Sequence, residues 1–189
     1  QGRQDHVANT MSAPYYRFSS DSIDITDNVN MDDIFDDGGS VELMIYPYSD
    51  GGYSTGRIIS KNEKFRISTG NESGGSLKIH LEHPFSSNRG GWNTTNTDAP
   101  INKWSHVVIT YDNSSTSNDP IIYVNGTSVA VTKNSTPAGT RTSDDGHNLY
   151  IGGNASGGGI YDYDGTISKL SLFNKALTAT EVKELYSGA

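Results

Sequence analysis

Residues 150–185 read YIGGNASGGGIYDYDGTISKLSLFNKALTATEVKEL. This stretch predicts a short strand, a glycine-rich turn, a second strand that begins at Tyr163, and a terminal helix. The start of the helix is marked by Thr178 and Glu181, because a threonine at the N-cap accepts a hydrogen bond from a free helix amide and the glutamate three residues later bonds back. The end of the chain is therefore predicted to be a strand followed by a capped helix.

Apolar and polar residues alternate with a period of two through most of the chain before this stretch, which is typical of half-buried strands. In residues 40–48, an apolar face that includes Leu43 alternates with a face that carries Tyr46. The predicted strands span residues 15–18, 22–25, 40–48, 57–60, 64–69, 76–82, 103–112, 120–133, 147–152 and 166–173. Many short strands with polar turns predict an all-β fold, a two-sheet antiparallel jelly-roll sandwich with a short C-terminal helix.

The length of 189 residues suits a single domain with a sizeable core. Residues 1–13 lack periodicity and end before Pro14, so we expect them to form a tether, with the domain over residues 14–189. The chain starts with Gln1 and shows no signal peptide, which favours a module of a larger protein. The absence of cysteine excludes a disulfide framework and favours a bacterial or viral source.

Charge and hydropathy limit the classes of partner. The net charge of -8 and the pI of about 4.9 argue against nucleic acid, because an acidic surface repels a phosphate backbone. No apolar run approaches the roughly 18 to 20 residues of a membrane span, so we expect no membrane insertion. An acidic surface is compatible with metal cations and with neutral sugars.

Residues 84–100 form the longest stretch without periodicity and are predicted to be a loop. Within it, Trp92 offers a flat apolar face on which a sugar ring could stack, and Arg89 and Asn93 flank it with hydrogen-bonding groups. In the other interpretation, Trp92 folds back and caps one end of the sandwich. The sequence leaves both interpretations open.

Five sequence blocks occur in order along the second half of the chain. They are WSHVVITYD at residues 104–112, IYVNG at 122–126, LYIGGN at 149–154, YDGTI at 163–167 and FNKALTATEVKELY at 173–186. Together they resemble the laminin-G-like jelly roll of the concanavalin A-like lectin/glucanase superfamily, over about residues 15–189. The resemblance implies the same sandwich, with ligands bound on the concave sheet or at its rim.

In such a sandwich, polar-tipped aromatic side chains from neighbouring strands would form a shallow groove for a glycan or polysaccharide. The candidates are Tyr46, Tyr48, Tyr53 and His80. In the other interpretation, these side chains form cross-strand pairs that only stabilise the sheet.

The resemblance also implies a structural calcium ion, and it places Asp21 and Asp164 near that ion. Calcium takes roughly six to eight oxygen ligands, many of them carboxylates. The chain carries Ser168 and Lys169 where the family has acidic residues that help to hold the ion, so the calcium prediction depends on the two aspartates. In the other interpretation, these aspartates are solvated turn residues.

Signals of catalysis are weak in this sequence. Residues 52–56 match the nucleophile elbow G-x-S-x-G, but that motif works at a strand-to-helix turn and no helix is predicted here. The hydrolases of the superfamily carry an E-x-D-x-x-E strand that supplies two carboxylates on one face, and the glutamates of this chain never adopt that spacing. We therefore expect no enzyme activity.

These observations favour a non-catalytic recognition module that binds carbohydrate and is part of a larger extracellular, cell-surface or virion protein. The alternative is a structural or oligomerisation module of a phage or surface fibre. A glucanase- or lyase-type enzyme is a third hypothesis, because the superfamily fold hosts all three functions.

Overall fold

A computed structural model describes residues 15–62, 64–154 and 160–188 of the protein. The predicted tether and residues 155–159 of the glycine-rich turn lie outside the described residues. The described chain forms fourteen strands, two short 3₁₀ turns and one α-helix. None of its helices has the length and apolar character that a membrane crossing requires.

The strands are short and follow one another closely along the chain. In chain order they are β1 (Tyr16–Phe18), β2 (Ile23–Ile25), β3 (Gly39–Pro47), β4 (Thr55–Lys61), β5 (Phe65–Ser73), β6 (Ser76–His83), β7 (Gly90–Thr94), β8 (Ala99–Pro100), β9 (Ser105–Tyr111), β10 (Ile121–Val124), β11 (Thr127–Val129), β12 (Val131–Ser135), β13 (Leu149–Ile151) and β14 (Gly165–Phe173). The 3₁₀ turns span Val29–Met31 and Gly52–Ser54, and the helix α1 spans Ala179–Ser187.

These strands form two antiparallel sheets. The six-stranded sheet has the order β1-β14-β3-β9-β10-β11. The eight-stranded sheet has the order β12-β7-β6-β5-β4-β13-β2, and β8 pairs with β6 beside this path. The predicted two-sheet antiparallel sandwich is thereby confirmed.

The main core lies between the two sheets and is built from the inward-facing residues of their strands. On β3, Val41, Leu43 and Ile45 all point inward and are fully buried, as the period of two predicts. A second, smaller core lies on the outer side of the six-stranded sheet, where α1 packs against it. Its buried members are Val108, Tyr123, Leu177 and Val182.

Two local predictions are confirmed by hydrogen bonds. The Thr178 hydroxyl accepts a bond from the amide of Glu181, whose side chain in turn accepts a bond from the Thr178 amide, so the capping box begins α1. Asn125 and Gly126 both have positive φ and form the tight turn between β10 and β11.

One local prediction is wrong: residues 84–100 are not a loop without secondary structure. They contain β7, which is paired with β6 on one side and with β12 on the other. Two of its five residues are glycines, which have a low propensity for strands. Gly90 is required for packing, because a Cβ at this position would lie 2.1 Å from the Trp92 ring. Tertiary pairing outweighs the weak strand propensity of this segment.

Candidate functional site

The predicted groove of Tyr46, Tyr48, Tyr53 and His80 is divided by the structure between the two sheets. Tyr46 projects from β3 and His80 from β6, and these strands belong to opposite sheets. The residues on either side of each are buried, so both side chains face outward, in opposite directions. The prediction of a single groove is therefore wrong.

Trp92 is a core residue and not an exposed stacking platform, with only 1% of its surface accessible. On β7 it lies opposite Leu81, and its ring centroid is 5.0 Å from that of Tyr111. Its indole Nε1 donates a hydrogen bond to Asp119 Oδ1 at 2.7 Å. The stacking prediction for Trp92 is wrong because the pleat of β7 turns it inward, whereas the next residue, Asn93, faces outward.

The outer face of the eight-stranded sheet carries five polar side chains in register across neighbouring strands, here called the polar row. Its members are Thr132, Asn93, His80, Ser68 and Arg57. Asn93, Ser68 and Arg57 are buried. Since polar groups lose free energy when they leave water without a hydrogen-bond partner, these buried members need partners within the fold. Two of the predicted ligand residues, His80 and Asn93, lie in the polar row.

His80 occupies the middle of the polar row, and its Nε2 atom is buried without a hydrogen-bond partner among the described residues. Burial lowers the pKa of His80, although the Glu82 carboxylate opposes the shift. The imidazole is therefore neutral at pH 7, and Nε2 can donate or accept depending on the tautomer. A Cβ added at Gly70 would lie 3.5 Å from this nitrogen and 2.7 Å from the carbonyl oxygen of Ser54, so the 3₁₀ turn at Ser54 lies against His80.

Tyr53, in the same 3₁₀ turn, places an aromatic ring at the rim of this face with 80% of its surface exposed. Its backbone is left-handed, with φ of 50° and ψ of 36°. For a residue with a side chain, this conformation costs about 1 to 2 kcal/mol. The Tyr53 ring lies 6.1 Å from the ring of Tyr161, and the Arg57 guanidinium stacks over Tyr161 at 4.4 Å.

The strain at this turn is unusual within the described chain. Eight non-glycine residues there have positive φ, and six of them are aspartate or asparagine, which tolerate the conformation well. The other two are the neighbours Tyr53 and Ser54. Because backbone strain of this kind is concentrated at binding and catalytic sites, the turn marks this rim as a candidate site.

A cluster of charged side chains lies farther along the same face. The Glu82 carboxylate accepts hydrogen bonds from Arg66 and from Arg89, the latter at 2.9 Å. Burial raises the pKa of Glu82, but the two arginines outweigh that effect and the pKa ends below its usual value. The predicted ligand residue Arg89 is therefore partnered, with roughly half of its side chain exposed. Lys64 lines the small cleft beside this cluster.

Tyr46 and Tyr48 belong to a different cluster, on the outer face of the six-stranded sheet. This aromatic patch consists of Tyr15, Tyr46, Tyr48 and Trp104. Tyr46 lies 5.3 Å from Tyr48 and 5.4 Å from Trp104, between ring centroids. Arg17 stacks over Tyr48 at 4.2 Å, so one face of that ring is already covered.

The predicted calcium ligands do not fit the ion. The Asp164 carboxylate pairs with Arg17 at 3.0 Å and accepts a hydrogen bond from Ser49 at 2.7 Å. Within the described ranges, the acidic side chains whose oxygens come close enough to share a metal ion are Asp27, Asp32 and Asp145. Neither Asp21 nor Asp164 belongs to this group, and the ammonium of Lys61 already contacts Asp27 and Asp32.

Several members of the candidate site were not predicted. Arg57 and Ser68 give no signal in the sequence, because strand register, and not spacing along the chain, aligns them with His80. Tyr161 lies outside the strands and joins the site through its ring contacts with Tyr53 and Arg57. The turn at Tyr53 lies inside the segment that resembles a nucleophile elbow. The segment Gly52–Ser54 is a 3₁₀ turn followed by β4, so that enzyme motif lacks its required helix.

Comparison with solved structures identifies many similar folds. The chain is 19% identical to a heptameric SAP-like pentraxin from Limulus polyphemus, with a TM-score of 0.67, over 91% of this chain and 81% of the pentraxin. It is 19% identical to domain 4 of an extracellular arabinanase from Geobacillus stearothermophilus, solved with arabinotriose, with a TM-score of 0.61 over 98% of this chain and 86% of that domain.

A third similar structure is the ligand-binding domain of botulinum neurotoxin serotype D in complex with N-acetylneuraminic acid. The identity is 16% and the TM-score 0.66, over the whole of this chain and 44% of the toxin chain. The protein thus spans less than half the length of that domain. No curated protein sequence matches the chain.

The family follows from a match over most of the chain. A sequence model described as the concanavalin A-like lectin/glucanases superfamily, of laminin-G type, matches residues 18–183. The five sequence blocks and the two-sheet jelly roll agree with this match. The chain therefore belongs to the concanavalin A-like lectin/glucanase superfamily.

Proposed function

We propose that the domain is a non-catalytic carbohydrate-binding module that holds a glycan on the outer face of its eight-stranded sheet. The observation that carries the proposal is Tyr53, an exposed aromatic ring held in a strained backbone conformation above a buried polar row. An aromatic ring offers a flat apolar face to the C–H side of a sugar, and the accessible polar groups of the same face, Thr132, Glu82 and Arg89, can bond to its hydroxyls.

The dimensions of the face suit a chain of sugars and not a single one. The Tyr53 turn lies beside Gly70, which is opposite Lys78 on β6, whereas the cluster of Arg66 and Glu82 lies four residues farther along that strand. At about 3.3 Å per residue, the two ends of the face are roughly 13 Å apart. An oligosaccharide could thus stack on Tyr53 and place hydroxyls near Glu82 and Arg89.

The comparisons support this proposal at the level of the fold. Relatives with the same jelly roll include domains solved with arabinotriose and with N-acetylneuraminic acid, so the fold accommodates sugars in other proteins. A carbohydrate-binding role also suits an extracellular, cell-surface or virion protein, which is where we place the module.

We propose no catalytic role for the domain. Glycoside hydrolysis needs two carboxylates on one face, about 5 to 9 Å apart, on either side of the bond to be cleaved. Glu82 shares the proposed face, where two arginines already pair with it. Glu42 projects from the opposite sheet and is buried against His106.

The test is a glycan array probed with the wild-type domain and with single variants. We expect Tyr53→Ala to weaken binding of the selected oligosaccharide about tenfold, since it removes one aromatic contact. Tyr48→Ala tests the aromatic patch on the other sheet, and Tyr186→Ala is a control at an exposed tyrosine of α1. Loss of binding with Tyr48→Ala but not with Tyr53→Ala would move the site to the six-stranded sheet. No binding by any variant or by wild type would favour the structural fibre module.

A further inference from the structure

Lys61, the last residue of β4, has a side chain with 0% of its surface exposed. Its ammonium Nζ lies 2.7 Å from Asp144 Oδ1 and 3.0 Å from the carbonyl oxygen of Met31. It also contacts Asp32 and lies 3.7 Å from Asp27 Oδ1. Three carboxylates and one backbone carbonyl therefore surround a single cation, which is the type of oxygen ligand set that calcium prefers.

The oxygen ligands come from two loops, one that follows β2 and one that precedes β13, and these two strands are paired. The amide of Asp33 donates to Asp144 Oδ1 at 2.9 Å, and the amide of Asp144 donates back to Asp33 Oδ1 at 2.9 Å. The Ser143 hydroxyl donates to the second oxygen of Asp33 at 2.8 Å. Lys61 reaches this junction from β4, so three separate segments meet at its ammonium.

The electrostatics of the junction favour a charged lysine. Burial lowers the pKa of Lys61, but its bonds to Asp144 and Asp32 outweigh burial and the pKa ends above its usual value. Without the ammonium, the carboxylates of Asp27, Asp32 and Asp144 would repel one another at close range. A buried carboxylate that loses its only counter-ion is strongly destabilising.

We propose that the ammonium of Lys61 is the resident cation of this acidic loop junction and takes the place that a divalent metal ion would have. In the described chain, the acidic group compact enough for a metal ion consists of Asp27, Asp32 and Asp145. Lys61 contacts two of its members, Asp27 and Asp32. A divalent ion there would have to share Asp27 and Asp32 with the lysine and would be repelled by its charge. These loops therefore keep their folded conformation without calcium.

The first test uses the wild-type domain. Its melting temperature is measured with a chelator and with millimolar calcium, and terbium luminescence reports any bound ion. We expect the same melting temperature in both conditions and no specific terbium signal. The ammonium of Lys61 should also give a slowly exchanging ¹⁵N signal in NMR spectra, because it is bonded and shielded from water. If calcium raises the melting temperature of the wild type and Asp145→Asn abolishes that increase, the proposal is overturned.

The second test removes the cation while keeping the length of the side chain. We expect Lys61→Met to lower the melting temperature by about 10 °C or more, because it leaves the carboxylates without a counter-ion. Millimolar calcium should restore part of that loss and terbium should now bind. Lys103→Met, at an exposed turn, is the matched control and should change neither quantity. A Lys61→Met protein as stable as the wild type contradicts the proposal, and if this variant does not fold, the wild-type measurements decide.

Discussion

The outer faces of the two sheets are used in different ways. The six-stranded sheet is covered by α1, which buries Val108 and Val182 in a second core. The eight-stranded sheet has no helix packed on it in the described part of the chain, and its outward side chains form the polar row. Both faces bury polar atoms that have no hydrogen-bond partner among the described residues, including Glu42 Oε2 and His106 Nδ1 on the first and His80 Nε2 on the second. The second face also carries the strained turn at Tyr53.

The difference indicates that the six-stranded sheet contributes more to stability, whereas the eight-stranded sheet carries the proposed glycan site. Apolar burial under α1 contributes stability to the six-stranded side of the sandwich. Backbone strain at Tyr53 lowers stability on the other side. If this interpretation is correct, substitutions on the two faces should affect stability in opposite directions.

The largest effect is expected under α1. Val182→Asp places an uncompensated carboxylate in the second core and should reduce the free energy of unfolding by about 3 to 4 kcal/mol. The control is Val29→Asp, the same chemical change at an exposed position, which should alter stability by less than about 0.5 kcal/mol. Urea denaturation measures both. Equal stability of the two variants would show that α1 does not cover this sheet in solution.

A smaller and pH-dependent effect is expected at Glu42, which is 1% exposed and bonded to His106 and Lys169. Burial raises the pKa of Glu42, but its bonds to Lys169 and His106 outweigh burial and the pKa ends below its usual value of 4.5. A carboxyl group with a lowered pKa stabilises the fold above its unfolded-state pKa, and this contribution is lost as the pH falls through the folded-state value.

Glu42→Gln should therefore reduce the free energy of unfolding by about 2 kcal/mol at pH 7. This value is kept modest because Lys169 is half exposed and solvent screens its interaction with Glu42. The cost should shrink as the pH falls below about 4.5, where the wild-type carboxyl begins to lose this contribution. Glu184→Gln, at an exposed position of α1, is the control. Denaturation curves between neutral and acidic pH measure both variants, and a cost that is the same at every pH would contradict the role assigned to Glu42.

The smallest effect on stability has the opposite sign. Tyr53→Gly relieves the left-handed strain and should stabilise the domain by about 1 kcal/mol, or roughly 3 °C, while it weakens the proposed glycan binding about tenfold. Ser54→Gly relieves the same kind of strain without removing the ring, so it should stabilise the domain and keep binding. Calorimetry and binding assays on both variants separate strain from recognition. Destabilisation by both glycines would mean that the turn is not strained.

The sequence predicts most of the architecture because its signals are local. The capping box at Thr178 and the turn at Asn125 depend on hydrogen bonds between residues close in sequence, and both are confirmed. The sequence does not predict strand β7, because this strand is stabilised by pairing with β6 and β12. Such long-range pairing leaves no pattern in the local sequence. For the same reason the sequence places Trp92 in a loop and leaves open whether it binds a sugar or folds back onto the sandwich.

The candidate site was predicted only in part. His80 and Tyr53 were named together and share one face, but Tyr46 was added to them although it lies on the other sheet. Alternation along a strand indicates which residues face outward, and it does not indicate the sheet to which a strand belongs. Resemblance to the family suggested calcium ligands, yet it could not show that Arg17 pairs with Asp164.

The position of β14 has a consequence for how the protein is made. This strand, which ends at Phe173, lies between β1 and β3 and closes the six-stranded sheet. During translation, β1 has no neighbour in its sheet until β14 has left the ribosome, so its edge and that of β3 stay unpaired until then. Long-range pairing of this kind is slow and leaves strands open to aggregation. We therefore expect the nascent chain to depend on chaperones until nearly all of the domain has been synthesised.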